Sequence, residues 1–351
     1  MSVTKTASIQ QFYEPVLSQL QAVKESLLAI VPPESQLLAE TLHLSLSSGG
    51  KLLRPVICLL AGKATSKNLS ADQSKALIEV SAVSEMIHIA TLLHDDVLDE
   101  ADFRRNKKTV RALWGNTVSV LSGDYLLAQA SRKLAQVGNI RLVAIYSDVL
   151  ADLCDGEVEQ IRTSYQLNTP WDSYFRKTIC KTASLFSAAC ESAGVVNELD
   201  ETNIQSLKAF GRDFGIAFQI MDDLLDYTSS AEEMGKPVLD DLRNGLVTAP
   251  VLLALDSKNI PDDDKRHIHQ TIQSIFALSD DTQEDEAQEA NQQALALSLK
   301  DILVRFGMIE ATLQLAHQYA EQAASHLKFV PDSVEKQALI GLLMSSLNRK
   351  N

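Results

Sequence analysis

The stretch HDDVLDE, residues 94–100, sets Asp95, Asp96 and Asp99 directly after the apolar run IHIATLL. At 100° per residue a helix would hold Asp95 and Asp99 about 40° apart and Asp96 about 60° from Asp99, so the three carboxylates would share one side. They would also crowd the carboxyl end of that helix, where the macrodipole disfavours each negative charge by about 0.3–1 kcal/mol. Such a grouping is unfavourable twice over unless a cation sits in it. The spacing recurs in MDDLLDY, residues 221–227, with Asp222, Asp223 and Asp226, again at the end of a long amphipathic stretch. One cluster could be a solvated helix end; two in the same costly position point to metal. All-oxygen donors suit Mg2+, or Mn2+, and a magnesium ion held by one or two carboxylates completes its shell with water and substrate phosphate oxygens.

Positive side chains accompany both clusters. FRRNKKT carries Arg104, Arg105, Lys107 and Lys108; MGKP and DLRNG carry Lys236 and Arg243; GGKLLRP offers Lys51 and Arg54; CKTASLF offers Lys181 and Thr182 in apolar surroundings. Taken singly, a lysine on an apolar helix is usually a snorkelling side chain, and GGK lacks the spacing of a phosphate-binding P-loop. Together they supply bidentate arginine and point-charge lysine donors for more than one phosphate group. The net charge of −14 argues against general affinity for nucleic acid or anionic membranes, so an anionic ligand must be held by local positive groups or by metal. Neither a Ser/His/Asp nor a Cys/His arrangement is evident. The four cysteines, Cys58, Cys154, Cys180 and Cys190, lack metal-site spacing and read as buried, reduced thiols of a cytoplasmic protein.

The elements that must position these residues are helical nearly throughout. LLAETLHLSLS, NIQSLKAFGRDFGIAFQIMDDLLDY and MIEATLQLAHQYAEQAASHL repeat apolar residues at three- and four-residue spacing, and strand-like alternation is hard to find. Residues 76–99 are apolar almost all round, which predicts a central helix enclosed by others. Turn-forming residues predict breaks at 31–35, 115–119, 167–172, 197–201, 228–245 and 330–333, giving ten or more helices. The acidic segment 279–289 reads as a solvated loop. No linker composition divides the 351 residues, so one domain spanning 1–351 is expected. The amino terminus lacks the apolar core of a signal peptide and no run of about 18 apolar residues occurs, which predicts a soluble protein without a transmembrane segment, though one that could work beside a membrane.

In this order, GGKLLRP, HDDVLDEADFRR, FQIMDDLLD and GKPVLDDLRNG resemble the trans-isoprenyl (polyprenyl) diphosphate synthases, over most of the chain from about Leu37 onward. The resemblance implies an all-α isoprenoid synthase fold, a ring of helices around a central cavity with the two aspartate motifs facing each other near its mouth, and a homodimer. It implies that Asp95, Asp96, Asp99, Asp222 and Asp223 ligate the magnesium ions that hold the allylic diphosphate, with Asp226 acting partly through water. Arg104, Lys181, Thr182, Gln219 and Lys236 match positions that contact the allylic diphosphate, and Lys51, Arg54, His88 and Arg105 match the pocket for isopentenyl diphosphate. His88 lies close to two turns before Asp95 and so shares its face; on residue type alone it would more often be a satisfied core histidine. His94 faces about 100° away from Asp95 and reads as structural. The implied reaction needs no protein nucleophile: the allylic carbon–oxygen bond ionises to release pyrophosphate, the isopentenyl double bond attacks the allylic cation head to tail, and pyrophosphate removes the proton that restores the double bond.

Product length is expected to depend on Ala90, about 7.5 Å deeper along the helix axis than Asp95. In the family an aromatic residue there accompanies short products, whereas alanine leaves the path open; Ile87, Met86 and Val83 could set a floor. RALWGNTVSVLSGDYLLAQAS and GKPVLDDLRNGLVTAPVLLALD look closest to long-chain solanesyl diphosphate synthases of cyanobacteria and plastids. A shorter-product enzyme such as a geranylgeranyl diphosphate synthase, a non-catalytic synthase subunit and a terpene cyclase remain as alternatives. The chain departs from the family pattern at Leu52, Asn106 and Ser345, where arginine, glycine and often tyrosine are usual.

Overall fold

The computed structural model describes residues 9–47, 50–104, 107–228, 239–279 and 286–348. A 3-10 segment, Ile9–Val16, leads into α1 (Leu17–Leu28), α2 (Gln36–Ser47), α3 (Leu53–Thr65) and α4 (Ala71–Leu98). Two-residue strands β1 (Phe103–Arg104) and β2 (Lys107–Lys108) pair antiparallel, Arg104 opposite Lys107, and are the only strands among the described residues. Then come α5 (Val110–Trp114), α6 (Asn116–Val137), α7 (Ile140–Thr163), α8 (Trp171–Thr178), a π-helical turn at Ile179–Ala183, α9 (Ser184–Val196) and α10 (Glu201–Thr228). The remainder is α11 (Asp240–Arg243), α12 (Ala249–Asp256), α13 (Asp262–Ser279), α14 (Glu286–Arg305), α15 (Met308–His326) and α16 (Val334–Leu347). Two compact units divide the chain: residues 1–150, 185–211 and 324–345 form one, and 151–184, 212–323 and 346–351 the other.

In the first unit, α4 is the core helix that its sequence predicts. Ser70 Oγ accepts from the Gln73 N–H at 3.1 Å while Gln73 Oε1 accepts from the Ser70 N–H at 3.0 Å, a reciprocal box that fixes where the helix begins. Nearly every residue from Val80 to Ala90 is buried, in packing chiefly against α6, α3 and α1. Burial of each large apolar side chain stabilises the fold by about 1.5–3 kcal/mol. Gly62 on α3 permits the close approach of α3 to α4, because a Cβ there would lie 2.5 Å from Leu77 Cδ2. Length and composition alone would let α4 cross a membrane, but 67% of its apolar window is buried inside the protein, as expected of a core helix. The helix stops at the first aspartate cluster: the Asp99 N–H still reaches Asp95 O at 2.8 Å, and Glu100 then turns to φ 50.

In the second unit the helix after Pro170 widens into a π turn at Ile179–Ala183, and this turn carries Lys181 and Thr182. Gly156 on α7 leaves room for it, since a Cβ there would lie 2.6 Å from Lys181 Cγ. The expected breaks at 31–35, 197–201 and 330–333 match helix ends closely, whereas that at 115–119 shrinks to Gly115, whose φ of 86 alone makes the turn. The acidic segment is shorter as a loop than expected, because α13 continues to Ser279 and α14 begins at Glu286; the residues between lie outside the described ones. Cys58, Cys180 and Cys190 are buried, but Cys154 is exposed, contrary to the expectation of four buried thiols, because it falls on the outer stripe of α7. Burial pushes the Cys58 thiol up to about 12 and raises that of Cys190 as well, which makes them poor nucleophiles.

Candidate active site

The first aspartate motif closes α4. Asp96 is 5% exposed, Asp95 half-buried and Asp99 exposed. Arg104, brought back by the β1 turn, donates its Nε–H to Asp96 Oδ1 at 2.8 Å. Asp96 and Arg104 line a cavity of about 400 Å3 with His88, Leu92, Lys107 and Lys108. His88 thus points to the same space as the motif, as the sequence expects. Arg54 on α3 lays its guanidinium 4.6 Å from the centre of the Phe186 ring, a contact that orients the planar group while leaving its edge for other partners. Lys51 lies two residues before α3, between Gly50 and Leu52, which line the cavity. His94 turns away, to Val120 O at 3.2 Å and Asp124 at 3.4 Å, in a gap left by Gly123, which bears out its structural reading.

The second motif ends α10 and is organised differently. Asp223, 3% exposed, accepts the Tyr174 hydroxyl at 2.7 Å and the Gln219 side-chain amide at 3.0 Å. Gln219 in turn accepts the Thr182 hydroxyl at 2.7 Å, so Thr182, Gln219, Asp223 and Tyr174 form one chain of hydrogen bonds. Burial, reinforced by Asp223, holds the Tyr174 phenol well above its ordinary range, so it remains a proton donor to the carboxylate. Asp226, 2% exposed, accepts the main-chain N–H groups of Asp240 and Asp241, both at 3.2 Å, at the start of α11. Asp222 stays exposed. Lys181 donates to Gln160 at 2.9 Å and pairs with Glu157 at 2.5 Å.

Of the residues the sequence singles out, Arg105 and Lys236 lie outside the described ones, as does Asn106. Thr182 and Gln219 are joined to Asp223, and Arg104 and His88 gather around Asp96. Ala90 is fully buried and does not line the cavity; in ideal helical geometry it stands about 160° around α4 from Leu92, which does. Tyr174, Gln160, Glu157 and Gly156 are functional candidates that sequence reasoning missed. Tyr174 carried no signal beyond an aromatic in WDSYF, and Gly156 becomes meaningful only through its closeness to Lys181. The donor set of both motifs is hard oxygen, which fits magnesium. Among the described residues no three His, Cys, Asp or Glu side chains come close enough to hold an ion unaided.

An all-α protein with two D-D-x-x-D motifs, each ending a long helix and each backed by basic or amide side chains, defines a class of metal-dependent enzyme that handles allylic diphosphates. The polyprenyl synthetase family matches residues 35–293, and the chain belongs to that family and is a prenyltransferase. It is 33% identical to solanesyl diphosphate synthase 2 (chloroplastic) of Arabidopsis thaliana over 350 residues, 98% of this chain and 78% of the relative. A solved polyprenyl synthase from Caulobacter crescentus, complexed with calcium and isoprenyl diphosphate, superposes with a TM-score of 0.86 at 28% identity, covering 99% of this chain and all of that one. A decaprenyl diphosphate synthase from Rhodobacter capsulatus gives a TM-score of 0.83 at 31% identity over 97% and 98% of the two chains. The isoprenoid synthase fold implied by the motifs is therefore the fold of this chain.

Proposed function

We propose that the protein is a magnesium-dependent trans-prenyltransferase that adds isopentenyl diphosphate repeatedly to an allylic diphosphate and makes a long-chain product, solanesyl diphosphate, for a quinone side chain. The observation that carries this reading is the buried Asp223, oriented by Tyr174 and Gln219 with Thr182 behind the amide. Asp95, Asp96, Asp99, Asp222 and Asp223 are the residues that would hold magnesium; Asp226, whose oxygens accept main-chain N–H groups, would act through water. Bound there, the metal would supply Lewis-acid stabilisation to the departing pyrophosphate. Lys181, Arg104 and Lys236 meet the allylic diphosphate with Thr182 and Gln219, and Lys51, Arg54, His88 and Arg105 meet isopentenyl diphosphate. Ala90 keeps the path for the growing chain open, on a side of α4 other than that of the cavity.

Similarity to the solanesyl and decaprenyl synthases supports the long product. The whole 351-residue chain would act as one cytoplasmic catalytic domain. A homodimer is supported by the outer stripe of α7, where Ala151, Cys154, Val158 and Ile161 recur at helical spacing and Ile161 is 70% exposed. The test is incubation of the purified protein with Mg2+, labelled isopentenyl diphosphate and allylic primers of increasing length, followed by sizing of the product. No elongated prenyl diphosphate with any primer would reject the synthase reading; a product that stops at geranylgeranyl diphosphate would reject the long-chain subclass. Ala90→Phe should shorten the product, at a stability cost of about 1–3 kcal/mol for overpacking; unchanged length removes Ala90 from that role.

A further inference from the structure

Lys51 sits in a tight corner held from an unexpected direction. The Leu52 that follows it has φ 49 and ψ 37, a left-handed conformation that a residue with a Cβ adopts only when its surroundings impose it. The Leu52 carbonyl accepts the Val56 N–H at 3.0 Å and so starts α3, which ties the left-handed corner to the first turn of that helix. The hydroxyl of Tyr13, a residue 7% exposed in the 3-10 segment Ile9–Val16, donates to the main-chain carbonyl of Lys51 at 2.6 Å. That carbonyl belongs to the peptide joining Lys51 to Leu52, so the bond fixes the plane on which the left-handed turn depends. The segment itself is fastened on two sides. Lys63 of α3 donates to Pro15 O at 2.5 Å and lies 3.9 Å from Glu335 of α16. Phe12 packs on Gly341 of α16, where a Cβ would lie 2.2 Å from its ring.

We propose that Tyr13 is a positioning residue for isopentenyl diphosphate: through the Lys51 carbonyl it sets the corner that aims Lys51 and starts the α3 turn bearing Arg54. This rests on the reading that Lys51 and Arg54 serve that substrate. Gly50 and Leu52, on either side of Lys51, line the cavity that holds His88 and Arg104, so a shift of this corner alters the wall of that cavity. Tyr13→Phe keeps the ring and removes only the hydroxyl. It should raise the KM for isopentenyl diphosphate about fivefold, the equivalent of one hydrogen bond, with kcat and the allylic KM unchanged. Leu52→Gly added to Tyr13→Phe should restore much of the loss, because glycine accepts the left-handed turn without strain. Lys51→Ala serves as the reference and should raise the same KM. An unchanged isopentenyl KM in Tyr13→Phe, with Lys51→Ala raising it, overturns the positioning role alone. No effect of Lys51→Ala overturns the underlying assignment and the proposal with it. An equal rise of both KM values together with a lower Tm makes Tyr13 merely structural and also overturns it.

Discussion

Asp96 and Asp223 hold the same place in their motifs, the second of the paired aspartates, and both are buried; yet Asp96 meets the guanidinium of Arg104 while Asp223 meets a phenol and an amide. The difference changes what each carboxylate can offer. Arg104 offsets the charge of Asp96, and we expect this pair to open when a diphosphate claims the arginine and a cation the aspartate. Two neutral donors fix the orientation of Asp223, the kind of support that holds a ligand from behind. Identical spacing in sequence therefore yields one carboxylate held by a cation and one held by neutral donors. Asp226 extends the contrast, since both its oxygens are engaged by the main chain of Asp240 and Asp241, whereas Asp99, its counterpart in the first motif, is exposed.

Removal of the two carboxylates should break this comparison most visibly. Asp223→Ala is expected to lower kcat by about a hundredfold to a thousandfold, the scale of losing a preorganised electrostatic group, and also to destabilise the fold. Its loss strands the Tyr174 hydroxyl and the Gln219 amide in a buried place, at about 1–3 kcal/mol. Asp96→Ala should lower activity comparably but cost less stability, because the released Arg104 is half-exposed and can reach solvent. Steady-state kinetics and thermal melting of the two variants check this. Equal losses of Tm would mean that the two sites are held alike.

Tyr174→Phe probes the second motif without removing a carboxylate. The phenol donates to Asp223, so its loss should reduce metal affinity or activity about tenfold, as is usual for a group that orients a ligand from behind. A titration of activity against Mg2+ should show the midpoint moving upward. In the first motif the donor to Asp96 is Arg104, so the matching perturbation is Arg104→Lys, which should act on the diphosphate KM and leave the Mg2+ midpoint in place.

How far the sequence could be read follows the same division. The repeated D-D-x-x-D spacing, the all-round apolar α4 and the Gly- or Asp-marked helix ends are local or periodic properties, so they were legible before any coordinates. Tyr174 was not, because its role depends on α8 bringing it to α10, a contact that no spacing encodes. The π turn at Ile179–Ala183 was equally hidden: its residues, ICKTA, have ordinary helix-compatible types, and only the closeness of Gly156 to Lys181 shows why the widened turn fits there. Glu157 and Gln160 carry no signal in the sequence; what marks them is that the Lys181 side chain reaches both. Conversely, the five-residue break at 115–119 was over-read, because one glycine with positive φ suffices to turn between α5 and α6.

The smallest expected effect lies one step further from the carboxylate. Thr182 donates to Gln219, whose amide then has its nitrogen committed to Asp223; without that hydroxyl the amide can rotate, and its oxygen rather than its nitrogen could turn toward the aspartate. Thr182→Val preserves shape and removes the donor, so it should cost only one net hydrogen bond, about twofold to tenfold in activity. Thr182→Ser should recover most of it, since serine keeps the hydroxyl. If Thr182 also touches the diphosphate directly, the valine variant should raise the allylic KM as well as the Mg2+ midpoint; if it acts only through Gln219, the Mg2+ midpoint should move alone. The two outcomes separate a hydroxyl that binds substrate from one that keeps the Gln219 amide correctly turned toward Asp223.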